Sequence, residues 1–288
     1  CVEGFGGSGC QVGYLTDQLH EALPPGTGTL LVHALNPHGF AWLRRVNENN
    51  IDLNRNFRDF SRPLPGSSAY EAVHDCLVPN AYDGPERRAA DDAIEQYVAD
   101  RGIAEFLAAV TGGQYTRPSG LFYGGTAECW SNRTFRRILK EHVPATTNVL
   151  AVLDFHTGLG PIGYGEPIYV GFDDMGLQRA RKWYGCEVTS TSKGTSTSAV
   201  VTGALSEAFL DLDPKLQVTH LAIEYGTRPV LEVIAALRAD NWLHTIKDCE
   251  TPFRGEIKRE IRNAFYVDTP AWKAAVYGRS ADFVLRAS

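Results

Sequence analysis

The sequence predicts an α/β fold: one domain with three layers, in which helices flank a mixed, mainly parallel β-sheet. Four short apolar runs bounded by turn residues are typical of buried strands, and amphipathic helical patterns lie between and after them. Strands that alternate with helices favour such a layered architecture. No linker-like segment divides the chain, so we expect a single domain over residues 1–288.

The predicted elements follow one another along the chain in a simple order. The predicted strands are 29–35, 149–155, 167–172 and 218–223. The predicted helices are 85–110, 131–142 with a capping Ser or Asn, 175–184, 229–247 and 252–265. The Ser- and Thr-rich run 189–198 predicts a mobile loop.

Composition excludes several classes of function. Of the 288 residues, 43% are hydrophobic and the net charge is −6, so we expect neither a nucleic acid nor a membrane surface as a partner. No apolar run approaches the roughly 18 residues that a membrane span needs. The cysteines are scattered without a CxxC pair, which predicts reduced thiols and a cytoplasmic location. They are Cys1, Cys10, Cys76, Cys129, Cys186 and Cys249.

Polar segments follow the predicted strands where strand ends meet at one edge of the sheet. Residues 36–57 follow the first strand, His156 ends the second and Glu224 ends the fourth. A lone histidine at a strand end is more often a hydrogen-bonded core residue. A carboxylate such as Glu224, however, is costly there unless it is paired, metal-bound or neutral. Two such groups at one edge of an α/β sheet predict a functional site.

The segment 44–57 is dense in amides and charges. Asp52, Asn54 and Asn56 alternate with Leu53 and Arg55, so an extended backbone would aim alternate side chains at one face. Amide and guanidinium groups together suit a carboxylate ligand, whereas the simpler interpretation is a solvated surface loop.

Two glycine patterns match GxGxxG, one at 4–9 and the other at 158–163. A dinucleotide site needs a strand before the pattern, a helix after it and an acidic residue about 20 positions on. Both patterns lack part of this context, so we interpret them as tight turns around an active site.

Several short motifs occur in the order seen in one enzyme family. They are Asn36-Pro37-His38-Gly39-Phe40, Asp52-Leu53-Asn54-Arg55-Asn56-Phe57, Asp154-Phe155-His156 and Ile223-Glu224. Others are Val2-Glu3-Gly4-Phe5, Leu121-Phe122-Tyr123-Gly124-Gly125, Trp130-Ser131-Asn132 and His156-Thr157-Gly158-Leu159-Gly160. Over residues 1–244 the chain resembles the zinc metallocarboxypeptidases, which include carboxypeptidase A and aspartoacylase, and especially an uncharacterised bacterial subgroup.

The resemblance implies a carboxypeptidase-like fold and a zinc cofactor held by two His and one Glu. Glu3 matches the glutamate of the family's His-x-x-Glu, and His156 matches the second histidine. The first histidine would immediately precede Cys1, so we expect further chain upstream that supplies it together with a strand. Asp52 matches the acid that orients this first histidine.

The resemblance also assigns roles in catalysis and substrate binding. Glu224 matches the catalytic base, and Arg45 matches the arginine that polarises the scissile carbonyl. Asn54 and Arg55 match the pair that binds a substrate carboxylate. His38 departs from the family, which often has Asp there. The tyrosine of digestive carboxypeptidases has only Tyr164 and Tyr169 as nearby candidates.

The expected function is therefore zinc-dependent hydrolysis of an amide bond in a small-molecule or peptide substrate that carries a free carboxylate. A deacylase of N-acyl amino acids, as in the aspartoacylase branch, uses the same residues and stays open as an alternative. A metal-free binding protein on a hydrolase scaffold is the alternative from another class. Nucleotide binding ranks last.

Overall fold

The computed structural model describes residues 1–247 and 250–287, so Cys249 lies outside the described residues. Within them the fold is α/β, with one sheet of four strands flanked by helices. The strands are β1 (Val149–Ile162), β2 (Gly165–Tyr169), β3 (Thr189–Ser190) and β4 (Gln217–Gly226). Their order in the sheet is β1-β4-β2-β3; β1 and β4 are parallel, β4 and β2 antiparallel, and β2 and β3 parallel.

The α-helices of the described ranges occur before, between and after the strands. They are α1 (Gly4–Thr16), α2 (Pro37–Ala41), α3 (Ser68–Leu77), α4 (Gly84–Arg101), α5 (Ile103–Thr111), α6 (Trp130–His142), α7 (Asp174–Tyr184), α8 (Val230–Thr245), α9 (Arg254–Phe265) and α10 (Pro270–Arg286). No helix in these ranges is long and apolar enough to cross a bilayer.

Three of the four predicted strands are confirmed, with shifted ends, as β1, β2 and β4. The predicted strand 29–35 is wrong, because its backbone pairs with no strand of the described residues and most of it is exposed. The side chain of Gln11 donates to the carbonyl of Val32, while Val32 and Leu35 pack beside Phe57. The apolar run therefore reflects packing against neighbouring side chains, but a strand also needs a partner for its backbone.

Each segment predicted to be helical forms helix, but some of the predicted bounds and caps are wrong. The segment 85–110 is two helices, α4 and α5, because Gly102 interrupts it with a φ of +85°. Helix α6 begins after Cys129, so the predicted cap by Ser131 or Asn132 is wrong and both residues lie inside the helix. The turn interpretation is also wrong for the first glycine pattern, which lies in α1. Gly158 and Gly160, in contrast, adopt positive φ in β1 where its pairing with β4 is interrupted after Thr157.

The two faces of β4 point to different surroundings because side chains alternate along a strand. Leu221, Ile223 and Tyr225 pack into an apolar core with α7 and α10. His220, Ala222 and Glu224 line a cavity on the opposite face. A second apolar core lies among α3, α5, α8 and α9 and supports the far wall of this cavity.

Candidate functional site

The site lies where the regular parallel pairing of β1 with β4 ends, at Thr157 and Tyr225. His156 is directly opposite Glu224 in the register of these two strands, and both side chains line the same cavity. The prediction that polar strand ends meet at one sheet edge is thus confirmed for these two residues.

Glu3 reaches this edge from the start of α1. Glycines let the helix approach β1 closely: a Cβ atom at Gly6 or Gly7 would lie 3.2 Å from a side-chain carbon of Thr157 or Phe155. The Glu3 carboxylate makes no capping hydrogen bond to its own helix. Instead its Oε2 atom lies 2.8 Å from Nδ1 of His156, so the structure joins residues that are 153 positions apart in sequence.

Arg45 lies between two buried carboxylates. Its Nε donates to Oδ2 of Asp52 at 2.8 Å, its Nη1 donates to Oε1 of Glu3, and its guanidinium stacks on the ring of Phe122. Burial opposes ionisation of Glu3, but Arg45 and His156 outweigh burial and hold the pKa of Glu3 below its usual value. Burial likewise opposes the charge on Arg45, yet Asp52 and Glu3 raise its pKa. Glu3 and Arg45 are therefore both charged at neutral pH.

Asp154 is a site residue that the motif assignment did not include. Its Oδ2 lies 2.9 Å from Nε2 of His156, on the opposite side of the ring from Glu3. Burial opposes protonation of His156, but Asp154 and Glu3 raise its pKa well above the usual value. The two carboxylates fix the plane of the imidazole, and a proton shared with Asp154 leaves Nδ1 directed at Glu3.

Glu224 is suited to accept a proton. It is 8% exposed, and its Oε1 accepts a hydrogen bond from the backbone N–H of Leu159 at 3.1 Å. Burial, supported by the negative charge of Glu3, raises the pKa of Glu224 to about 7. A carboxyl group with a pKa near neutrality on a cavity wall is typical of a general base.

The pair Asn54 and Arg55 lies on a short 3₁₀ turn, Leu53–Arg55, rather than on extended backbone. Asp52 begins this turn by accepting from the N–H of Asn54, which corrects the prediction of alternating side chains. Arg55 is 3% exposed and donates to the carbonyl of Thr111, and Asn54 accepts from the N–H of Leu205. Burial lowers the pKa of Arg55 to about 10, so the side chain stays charged at neutral pH.

One cavity of about 260 Å³ unites most of the predicted residues. It is lined by Glu3, Arg45, Asn54, Arg55, His156 and Glu224. Asp52 lies behind Arg45 and lines an adjoining cavity of about 180 Å³, which also touches Glu3 and His156. Tyr164 and Tyr169 line neither of these two cavities, and Tyr169 is buried with its hydroxyl on Asp173.

His220 also lines the larger cavity, and the motif analysis missed it as well. The signal was present in the sequence, because strand side chains repeat every two residues. Asp154 precedes His156 by two positions, and His220 precedes Glu224 by four, so each shares a face with a predicted site residue.

Fold and site together define an α/β protein with a carboxylate–imidazole–guanidinium cluster at the ends of two parallel strands. The chain belongs to the family described as "Protein of unknown function (DUF2817)", which matches residues 1–279. Comparison with curated proteins and with solved structures gave no match.

Proposed function

We propose that this protein is a zinc-dependent hydrolase, with a carboxypeptidase-like fold, that cleaves an amide bond in a carboxylate-bearing substrate. The observation that supports the proposal is the convergence of Glu3, His156 and Glu224 at the ends of β1 and β4. Arg45 and Arg55 add positive charge to the same cavity.

Glu3 and His156 fit a zinc site in their chemistry. A carboxylate oxygen and an imidazole nitrogen are both common zinc ligands, and here they face each other at 2.8 Å. Asp154 holds the other ring nitrogen, as carboxylates commonly do behind metal-bound histidines. The described residues contain no group of three or more His, Cys, Asp and Glu side chains placed for a metal. The resemblance implies a second histidine as the further ligand. When bound, zinc would acidify a water molecule and polarise the substrate carbonyl.

Glu224 performs the proton transfers in this proposal. Its Oε1 is held by the N–H of Leu159, so Oε2 accepts the proton of the attacking water. The same carboxyl group then delivers this proton to the departing amine nitrogen. Its pKa near 7 makes both directions of transfer accessible at neutral pH.

Arg45 and Arg55 bind different negatively charged groups of the substrate. Arg45 stabilises the oxygen of the attacked carbonyl, since a guanidinium has five N–H donors and Glu3 and Asp52 accept only some of them. Asn54 and Arg55 orient the substrate carboxylate, and the bonds of Arg55 to Thr111 hold its guanidinium rigid.

A hydrolysis screen of zinc-loaded, full-length protein tests the proposal. Short peptides with a free carboxyl terminus and N-acyl amino acids form its two arms, with Glu224→Gln as the inactive control. Release of a C-terminal residue supports the carboxypeptidase hypothesis, and release of an acyl group supports the deacylase hypothesis. Zinc-free protein that binds such ligands tightly, without turnover after zinc loading, contradicts the proposal and favours a binding protein.

A further inference from the structure

Two large apolar side chains are exposed at the opening of the larger cavity. Phe172 is 64% exposed and Val200 is 67% exposed, and both line the cavity that holds Glu224. Single exposed apolar residues are common on protein surfaces and need no explanation. Apolar side chains that stay exposed beside a ligand-sized cavity differ, because a ligand in the cavity can cover them. We call Phe172 and Val200 the rim residues.

Both rim residues lie on loops that neighbouring elements hold in place. Phe172 lies between the end of β2 and Asp173, whose side chain caps α7. Val200 lies shortly after Thr197, which Glu166 anchors to the sheet. This buried carboxylate on β2 accepts from the hydroxyl group of Thr197 and, at 3.2 Å, from its backbone N–H. The rim is therefore a defined part of the cavity wall.

The exposure of the site residues indicates which end of a substrate meets the rim. Arg55 is 3% exposed and Glu224 is 8% exposed, whereas both rim residues are more than half exposed. A substrate whose carboxylate reaches Arg55 therefore has that end inside the protein and its opposite end toward solvent. In a peptide or an N-acyl amino acid, the carboxylate belongs to the half that leaves as the amine. The end toward the rim is then the acyl half.

We propose that Phe172 and Val200 form an apolar subsite for a bulky aliphatic or aromatic group on the acyl half of the substrate. In an N-acyl amino acid this group is a long acyl chain, and in a peptide it is the side chain of the residue before the scissile bond. An acetyl group offers only one methyl group to the rim, so the subsite favours larger acyl groups. The inference rests on the proposed hydrolase function, because it takes Asn54 and Arg55 as the carboxylate-binding pair.

Calorimetric binding to full-length, zinc-loaded Glu224→Gln protein tests the subsite without turnover. One arm compares N-hexanoylglycine with N-acetylglycine, and the other compares N-acetyl-L-phenylalanylglycine with N-acetylglycylglycine. All four ligands carry the same glycine carboxylate and differ only in the acyl half. We expect the apolar ligand to bind about tenfold or more tightly in at least one arm, because its additional carbon atoms leave water at the rim. The arm with the larger gain identifies the acyl chain or the peptide side chain as the occupant.

Substitutions at the rim locate this gain. Phe172→Ser and Val200→Ser should each weaken the apolar ligand at least about threefold more than its small partner, because less apolar surface is covered. Met175→Ser and Leu210→Ser are the matched controls, since these side chains are 75% and 64% exposed but line neither cavity. The control variants should keep the full gain.

Equal binding of the apolar and small ligands in both arms contradicts the subsite, as does a gain that survives in both rim variants. N-acetyl-L-leucine tests the orientation, because its apolar group lies on the carboxylate half. If the rim variants weaken only this ligand, the rim binds the other half and the inference is overturned. Hydrolysis of N-acetylglycine or N-acetylglycylglycine by the wild-type protein is scored separately, so the subsite can fail while the hydrolase proposal stands. Failure of all these ligands to bind contradicts both.

Discussion

Glu3 is the residue on which the charge network of the site depends. One oxygen accepts from Arg45 and the other lies against His156, while Arg45 also binds Asp52. Glu3 and Asp52 are buried and Arg45 and His156 are half-buried, so removing one partner leaves an uncompensated charge in a poorly solvated place. The network therefore constrains the geometry of the site.

Glu224 should be essential for turnover but dispensable for folding. Glu224→Gln keeps the size of the side chain and an oxygen that accepts from Leu159, but the amide cannot take up a proton. Loss of a general base typically lowers rates by roughly 10²–10⁴. Steady-state kinetics with the substrate from the screen measures this loss. The control is Glu207→Gln, which lines the same cavity and whose kcat should fall less than about tenfold. Near-normal kcat in Glu224→Gln would make Glu224 structural.

The raised pKa of Glu224 also predicts how stability depends on pH. The Glu224 carboxyl group holds its proton more tightly in the folded state than in the unfolded chain. The stabilisation that this proton gives the folded state is therefore complete below about pH 4 and is lost as pH rises through 7. Glu224→Gln does not titrate. In chelator-treated protein, the variant should gain stability relative to wild type between pH 5 and pH 8, by up to about 3 kcal/mol. Denaturant unfolding at both pH values measures the difference. A difference that is independent of pH would mean that Glu224 has an ordinary pKa.

Arg55 should discriminate substrates by their carboxylate. Arg55→Ala should weaken substrates with a free carboxylate by about 1.5–3 kcal/mol relative to their amidated analogues. Because Arg55 also donates to the carbonyl of Thr111, the variant should be less stable as well. Comparing kcat/KM for the two substrate types separates these effects, since lost stability affects both equally. Equal losses would show that Arg55 does not contact the carboxylate.

At the scale of elements, α1 and the segment 29–35 show where sequence patterns mislead. Glycine is a poor helix former, so the glycine-rich start indicated turns, yet packing on β1 makes it a helix. The segment 29–35 has a strand pattern but lacks a pairing partner within the described ranges. In both cases the deciding contact is with a distant part of the chain, which a local pattern does not contain.

The glycines of α1 should respond differently to alanine. A Cβ atom at Gly9 meets nothing within 4 Å, whereas one at Gly13 would lie 2.3 Å from the ring of Tyr277. Gly9→Ala should therefore raise the free energy of unfolding by about 0.5–1 kcal/mol through helix propensity. Gly13→Ala should lower it, because Tyr277 must move away from Asp17. Denaturant unfolding compares the two variants, and an equal gain at both positions would mean that α1 does not pack closely on α10.

At the scale of the whole molecule, the site joins α1 to β1 and β4, the two longest strands of the described residues. The apolar strands made His156 and Glu224 predictable, since polar residues at the ends of adjacent parallel strands meet. The place of Glu3 came only from the resemblance, because no local pattern specifies a contact across 153 residues. Asp154 lies in one of the motifs but received no role from the resemblance, and His220 lies in none of them, although the two-residue periodicity of a strand places each on the same face as a predicted site residue.

This long-range contact leads to a prediction about metal and global stability. Zinc bound by Glu3 and His156 would tie α1 to β1, so saturating zinc should stabilise full-length protein by mass action. At 100 times Kd the gain is about 2.7 kcal/mol, which raises Tm by several degrees in a chain of this size. Elemental analysis should find about one zinc per chain. Glu3→Gln should lose most of the zinc and the Tm shift, whereas the exposed histidine variant His142→Asn should keep both. Full-length protein that stays metal-free after zinc loading, or a Glu3→Gln variant with an undiminished shift, would contradict the zinc assignment.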